Sequence, residues 1–186
     1  YDYHWRPMEV AFGQDAYGKQ FDSFMRHYLT YKTGEIPNIK DVYEVFKAHA
    51  RSQEIKNFGE IELVKDLQIF AGYFCAMALD QEQNPHLKLA FRDLRELKVD
   101  VAFPLLLELY NDYSKGILTV VEFEQTVRLI ESYVFRRAVS AIPTNSLNKT
   151  FATFGRALNK DHYIESILAH FLLLPSYRRF PREDEF

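Results

Sequence analysis

Apolar residues recur along most of the chain at steps of three and four, the spacing that lines one face of an α-helix. A first helix is expected from about Asp15 to Tyr31, with Phe21, Phe24, Met25, Tyr28 and Leu29 on its stripe and Gly34 as a left-handed cap. Pro37-Asn38 opens a second, with Asn38 as N-cap and Asp41 three residues on. Its buried side would be Val42, Val45, Phe46 and His49 or Ala50. Asn57-Phe58-Gly59-Glu60 resembles a capping box at the head of a third helix that runs to about Asp80.

Asn84-Pro85 starts the fourth helix, with Leu87, Phe91, Leu94 and Leu97 or Lys98 along one face. The fifth begins between Asp100 and Pro104, carries Leu105, Leu106 and Leu107, and closes at Lys115-Gly116. Thr119 and Glu122 form a capping box ahead of the sixth and longest helix. Its stripe is Val120, Phe123, Val127, Ile130, Val134 and Ala138. Thr144-Asn145-Ser146 caps the seventh, bearing Leu147, Phe151, Phe154 and Leu158. Asp161 caps the eighth, with Ile164, Ile167, Leu168 and Phe171 before Pro175. No period-two run and no Asn-Gly or Asp-Gly turn signals a strand, and no spacing repeats. The expected fold is all-α: an irregular bundle of about eight helices over residues 1–186, with a candidate subdivision near 81–86.

Composition fits that pattern. Of 186 residues, 16 are Phe and 12 Tyr, against seven Gly and seven Pro, which suits long helices with bulky contacts. A net charge of −3 excludes an overall basic field that would draw the chain to nucleic acid or to an anionic membrane. The most apolar stretch, Leu63 to Leu79, contains Lys65, Asp66 and Gln68 and is short for a bilayer, so it reads as a core helix. The lone Cys75 excludes an intrachain disulfide and reads as a small buried side chain in a reducing, cytoplasmic setting. Tyr1-Asp2-Tyr3-His4-Trp5 matches no signal or transit peptide. Both this start and the run from Arg178 to Phe186, with its acidic Glu183-Asp184-Glu185, read as cuts through a longer polypeptide.

Candidate chemistry is sparse. His4, His27, His49, His86, His162 and His170 are scattered without metal-ligand spacing, and no phosphate loop or nucleophile elbow occurs, so neither cofactor nor metal is expected. Glu124 and Arg128 form an i, i+4 pair, Glu122 and Asp41 have capping roles, and no two carboxylates are assigned to one pocket. The most pointed polar group is Arg136-Arg137 beside Tyr133 and Phe135. Two guanidiniums there, with Lys149 beyond, could bind phosphate oxygens. The competing reading is that both arginines make intramolecular ion pairs that lock neighbouring helices together.

Three phrases are similar to the middle helical region of the GmrSD-like family. The first is Phe21-Asp22-Ser23-Phe24-Met25-Arg26-His27-Tyr28-Leu29-Thr30 with Gly34-Glu35-Ile36-Pro37 and Val42 to Lys47. The second is Glu131-Ser132-Tyr133-Val134-Phe135-Arg136-Arg137-Ala138 with Thr144 to Phe151, and the third runs from Phe180-Pro181 to Phe186. The last resembles the link into that family's C-terminal nuclease. The resemblance implies a type IV-like, modification-dependent restriction protein serving phage defence. Its ParB-like N-terminal domain hydrolyses nucleotide, its C-terminal nuclease is of the HNH type, and helices join the two. Neither domain's D-G-Q-Q-R-type nor H-x-x-P-type motif occurs in this chain, so none of the family's catalytic residues carries over. The expected role is a non-catalytic helical connector whose partners are flanking domains, a second copy, and DNA for the parent protein. Such a block fixes a distance and an angle, and it passes on a movement if it has two packing arrangements. The alternative is a direct nucleic-acid-binding domain using Arg136, Arg137 and Lys149.

Overall fold

The computed structural model describes residues 3–185. Tyr1, Asp2, Phe186 and the Asp184 side chain lie outside the described residues, and with them part of the aromatic start and of the acidic tail. Ten α-helices and short 3-10 turns make up the fold, and no strand occurs among the described residues. The chain divides into two compact units, Tyr1–Gln81 and Glu82–Phe186, each with five helices. No helix among the described residues is long and apolar enough to cross a membrane.

The first unit holds α1 (Trp5–Phe12), α2 (Gln14–Thr33), α3 (Val42–Ala50), α4 (Gln53–Phe58) and α5 (Glu60–Ala78). α2 buries Phe24, Met25, Tyr28 and Leu29, and Gly34 closes it at φ 78°, donating its N–H to the Thr30 carbonyl. α5 buries Leu63, Leu67, Phe70, Phe74 and Cys75, so the apolar Leu63–Leu79 stretch is a core helix. α1 is an additional element. Its Phe12 stacks on Phe74 at 5.8 Å and meets Phe21 edge-on at 5.6 Å, so α1 adds Met8 and Phe12 to the core, while Tyr3 is exposed. Burial pushes the Cys75 thiol up to about 12, which keeps it protonated and unreactive.

Two caps in this unit differ from expectation. Asn38 donates its side-chain amide to Asp41 at 3.2 Å instead of capping, and a 3-10 turn, Ile39–Asp41, precedes α3. Asp41 likewise makes no side-chain cap, and of α3 only Val42 is fully buried. Asn57 and Phe58 lie inside α4, which Ser52 caps by accepting the Ile55 N–H at 3.3 Å. The break before α5 comes from Gly59, whose φ of 104° is open to glycine and strained for other residues.

The second unit holds α6 (Pro85–Glu96), α7 (Phe103–Ser114), α8 (Val120–Val139), α9 (Leu147–Phe154) and α10 (Tyr163–Leu173). Asn84 accepts the His86 and Leu87 N–H groups at the head of α6. Thr119 and Glu122 satisfy each other's backbone N–H in a complete capping box on α8. α8 buries Phe123, Val127, Ile130, Tyr133 and Val134, but its stripe ends on Arg137, with Ala138 exposed. α9 starts after a 3-10 turn without a side-chain cap, and Leu158 lies beyond it. Asp161 does not cap α10; its N–H is held by the Asn159 side chain at 3.1 Å. The inward residues of α10 are Tyr163, Ile167 and Phe171, while Leu168 faces outward.

Candidate functional site

Arg137 is the largest fully buried side chain, with 0% exposure. Its apolar neighbours on α8 carry it inward, because position 137 continues the row of Ile130 and Tyr133/Val134. Nη2 donates to the Pro143 carbonyl at 2.6 Å and to Ser146 Oγ at 3.2 Å. Nη1 donates to the Tyr177 carbonyl at 2.8 Å and reaches the Arg179 carbonyl at 3.5 Å. The guanidinium also lies over the Tyr133 ring, 5.4 Å from its centre. No carboxylate pairs with it among the described residues. Its charge is met instead by oriented carbonyl dipoles and a π face, interactions strengthened by the absence of water.

The group held by this fork is the terminal segment. The Tyr133 hydroxyl donates to the Arg178 carbonyl at 2.7 Å, and Ser140 Oγ donates to the Glu185 carbonyl at 3.2 Å. Phe180 packs against Tyr133 at 5.5 Å and against Phe171 at 5.4 Å, with Arg136 over its outer face at 5.9 Å. Arg136 is half-buried on this seam, and Lys149 is exposed on α9. Arg137 is therefore enclosed: its two Nη atoms are taken by carbonyls and Ser146 Oγ, one face lies on Tyr133, and its buried Nε has no hydrogen-bond partner. Arg137 ties α8 to Pro143, Ser146 and residues 177–179 through carbonyls and a hydroxyl, where the competing reading named ion pairs.

A second polar cluster departs from the expectation that no two carboxylates meet. Glu108 and Asp112 lie one turn apart on α7, and both face Lys160, at 3.6 and 2.8 Å from Nζ. Asp112, 1% exposed, also accepts the Tyr163 hydroxyl at 2.6 Å. Gly155 leaves room for Glu108, since a Cβ there would sit 1.6 Å from Glu108 Oε2. Burial raises the Glu108 pKa, Lys160 pulls it down, and Asp112 pushes it up again. The clue in the sequence was two acids four residues apart inside an otherwise apolar helix.

The first unit repeats the pattern. Asp66 accepts the Tyr28 hydroxyl at 2.6 Å and pairs with Lys32 at 2.8 Å, while Lys32 covers the Phe70 ring at 4.6 Å. Burial first, and then the bond to Asp66, push the Tyr28 phenol far above its ordinary range, so it stays a neutral donor. In both triplets tyrosine and lysine satisfy an aspartate that burial would otherwise penalise. Tyr163 is itself buried, and its hydroxyl donates to Asp112.

The remaining candidates stay apart. Among the described residues no three His, Cys, Asp or Glu side chains come together as a metal site. Arg128 pairs with Asp93 at 2.8 Å and Glu131 at 2.7 Å rather than with Glu124, whose neighbour is His86 at 3.7 Å. Arg128 spans two helices through this pairing, which an i, i+4 bond would not do.

His27 is buried against Phe74, and desolvation, helped by the charge of Arg26, lowers its pKa to about 3. A folded value below the unfolded value of about 6.5 means that its contribution is intact above pH 6.5 and is lost as pH falls toward 3. Between pH 7.5 and 5 the loss amounts to about 2 kcal/mol, at 1.36 kcal/mol per pH unit. Urea unfolding at the two pH values checks this. The pH-dependent difference shrinks by about that amount in His27→Gln, and equal differences in the two proteins would refute the assignment.

No protein-family model, curated protein or solved structure matches the chain.

Proposed function

We propose that this chain is a non-catalytic helical connector within a DNA-targeting restriction protein of the GmrSD-like kind, positioning flanking domains of the same polypeptide. What supports the reading is the hold of α8 on residues 176–185: a buried guanidinium, a tyrosine hydroxyl and a serine hydroxyl bind the backbone there, and Phe180 packs beneath. That segment resembles the link to the family's nuclease. A link fixed along its length transmits orientation, whereas a free one passes on only proximity. Asp112, Asp66 and Arg137, buried or half-buried charged groups of these clusters, are engaged in the Tyr–Asp–Lys triplets and in the arginine fork.

The competing reading is direct nucleic-acid binding through Arg136 and Lys149. Fluorescence anisotropy of the chain with labelled duplex and single-stranded oligonucleotides, from low to physiological salt, separates the two. Phosphate contacts make affinity fall steeply with salt. The connector reading expects no saturable binding. A salt-sensitive complex weakened by Arg136→Ala and Lys149→Ala would transfer the function to DNA contact. The coding frame on either side tests the restriction context: a ParB-like domain upstream and an HNH-type nuclease downstream are expected, and stop codons at both borders would contradict it.

A further inference from the structure

Between α8 and α10 the second unit has a groove of about 570 Å3, lined by Val121, Glu124, Gln125, Arg128, Leu129, Ile164 and Leu168. Its floor is mainly apolar. The row Ile164, Leu168 and Leu172 advances by four residues along α10, so the apolar strip continues one turn past the groove. Leu172 and Leu173 there are 81% and 80% exposed, the most exposed large aliphatic side chains in this unit. Adjacent leucines left in water beside an apolar groove are the kind of surface that marks an interaction site.

The charges around the strip select its occupant. Arg128, the one cation lining the groove, is neutralised by Asp93 and Glu131 at 2.8 and 2.7 Å, and Arg92 lies against Asp93. Glu124 lines the groove one turn before Arg128 on the same helix, with His86 3.7 Å from its carboxylate, and Glu165 stands exposed beside Ile164. Asp93 and Glu131 thus balance the two guanidiniums, and Glu124 and Glu165 give the border its net negative charge. A second copy of the chain would bring this acidic border toward another like itself, and each copy carries a formal charge of −3.

We infer that the groove between α8 and α10 receives an amphipathic helix whose apolar stripe carries leucine-sized side chains and whose edges carry lysine or arginine. Leucines at i, i+3 or i+4, and i+7 fill the space between Val121, Leu129 and Leu168 and cover Leu172. Flanking cations meet Glu124 and Glu165. The surface is independent of the restriction reading, since peptide capture requires neither DNA nor a flanking domain.

A labelled 16- to 18-residue peptide with a leucine stripe and lysine flanks, titrated with the chain by fluorescence anisotropy, tests the inference. A second peptide keeps the stripe and replaces every lysine by glutamate. The basic peptide is expected to bind saturably and at least about tenfold more tightly than the acidic one. Leu168→Glu and Glu124→Lys, both at exposed or half-exposed positions that spare the core, are each expected to weaken binding about tenfold while helicity by circular dichroism is unchanged. Equal binding of the two peptides, no saturable binding, or insensitivity to both substitutions would overturn the assignment. Sedimentation that reveals a dimer abolished by Leu168→Glu would give the groove to a second copy, and would overturn it as well.

Discussion

Arg137→Ala lowers the unfolding free energy by about 4 kcal/mol, because it leaves part-buried carbonyls without a donor and opens a cavity beside Tyr133. The carbonyls of Pro143 and Tyr177 lose their closest partner, and Ser146 loses a hydrogen bond. Urea unfolding followed by circular dichroism reads the loss. Trypsin gives a second readout, because Arg178, Arg179 and Arg182 lie in the segment that the fork holds. Cleavage there accelerates by about tenfold or more when the segment is released from α8. Arg137→Lys recovers only part of the stability, since one ammonium cannot reach carbonyls on both sides as a planar fork does. An alanine variant as stable and as trypsin-resistant as the parent would remove the fork from the account.

Asp112→Ala costs about 3 kcal/mol. It removes the acceptor of the buried Tyr163 hydroxyl and the nearer of the two carboxylates facing Lys160. Asp112→Asn keeps a hydrogen-bond acceptor and loses the charge, so its cost is smaller. A double-mutant cycle with Tyr163→Phe isolates the pair, with a coupling energy of about 1–2 kcal/mol expected from a charge-assisted bond at 2.6 Å. Additive effects of the two substitutions would mean that the aspartate is held by Lys160 alone.

Much of the fold was legible from punctuation. Gly34 ends α2, Asn84-Pro85 starts α6, and the Thr119–Glu122 box starts α8, because each carries a local chemical reason that tertiary contacts do not override. The caps that failed were those with alternatives nearby. Asn38 found Asp41, and Asn57 fell inside a helix that Ser52 had already started. α1 was missed because its short aromatic run offers Met8 and Phe12 as inward positions but no capping side chain. Its stability comes from the Phe12, Phe21, Phe24 and Phe74 rings, which periodicity alone does not bring together.

The candidate site was legible in part, for a related reason. Reading the α8 stripe from apolar letters led to Ala138, whereas the buried position is Arg137. Arg137 lies three residues after Val134, as helical spacing allows, but a guanidinium is not counted among apolar letters. Only the fold supplies the carbonyls of Pro143, Tyr177 and Arg179 that make burial tolerable. Glu108 and Asp112 posed the same conflict on α7. Their partners lie 52 and 48 residues away in Lys160 and another 51 from Asp112 in Tyr163, beyond any local pattern.

Amide hydrogen exchange at Arg178 and Arg179 tests most directly that α8 holds the terminal segment. Their N–H groups bond to the Pro175 and Ser176 carbonyls in a single 3-10 turn, which has little protection of its own. Held by Arg137 and Tyr133, these two amides exchange about a hundredfold more slowly than a free peptide, and Arg137→Ala removes the difference. Exchange at the free-peptide rate in the unsubstituted chain would contradict the account.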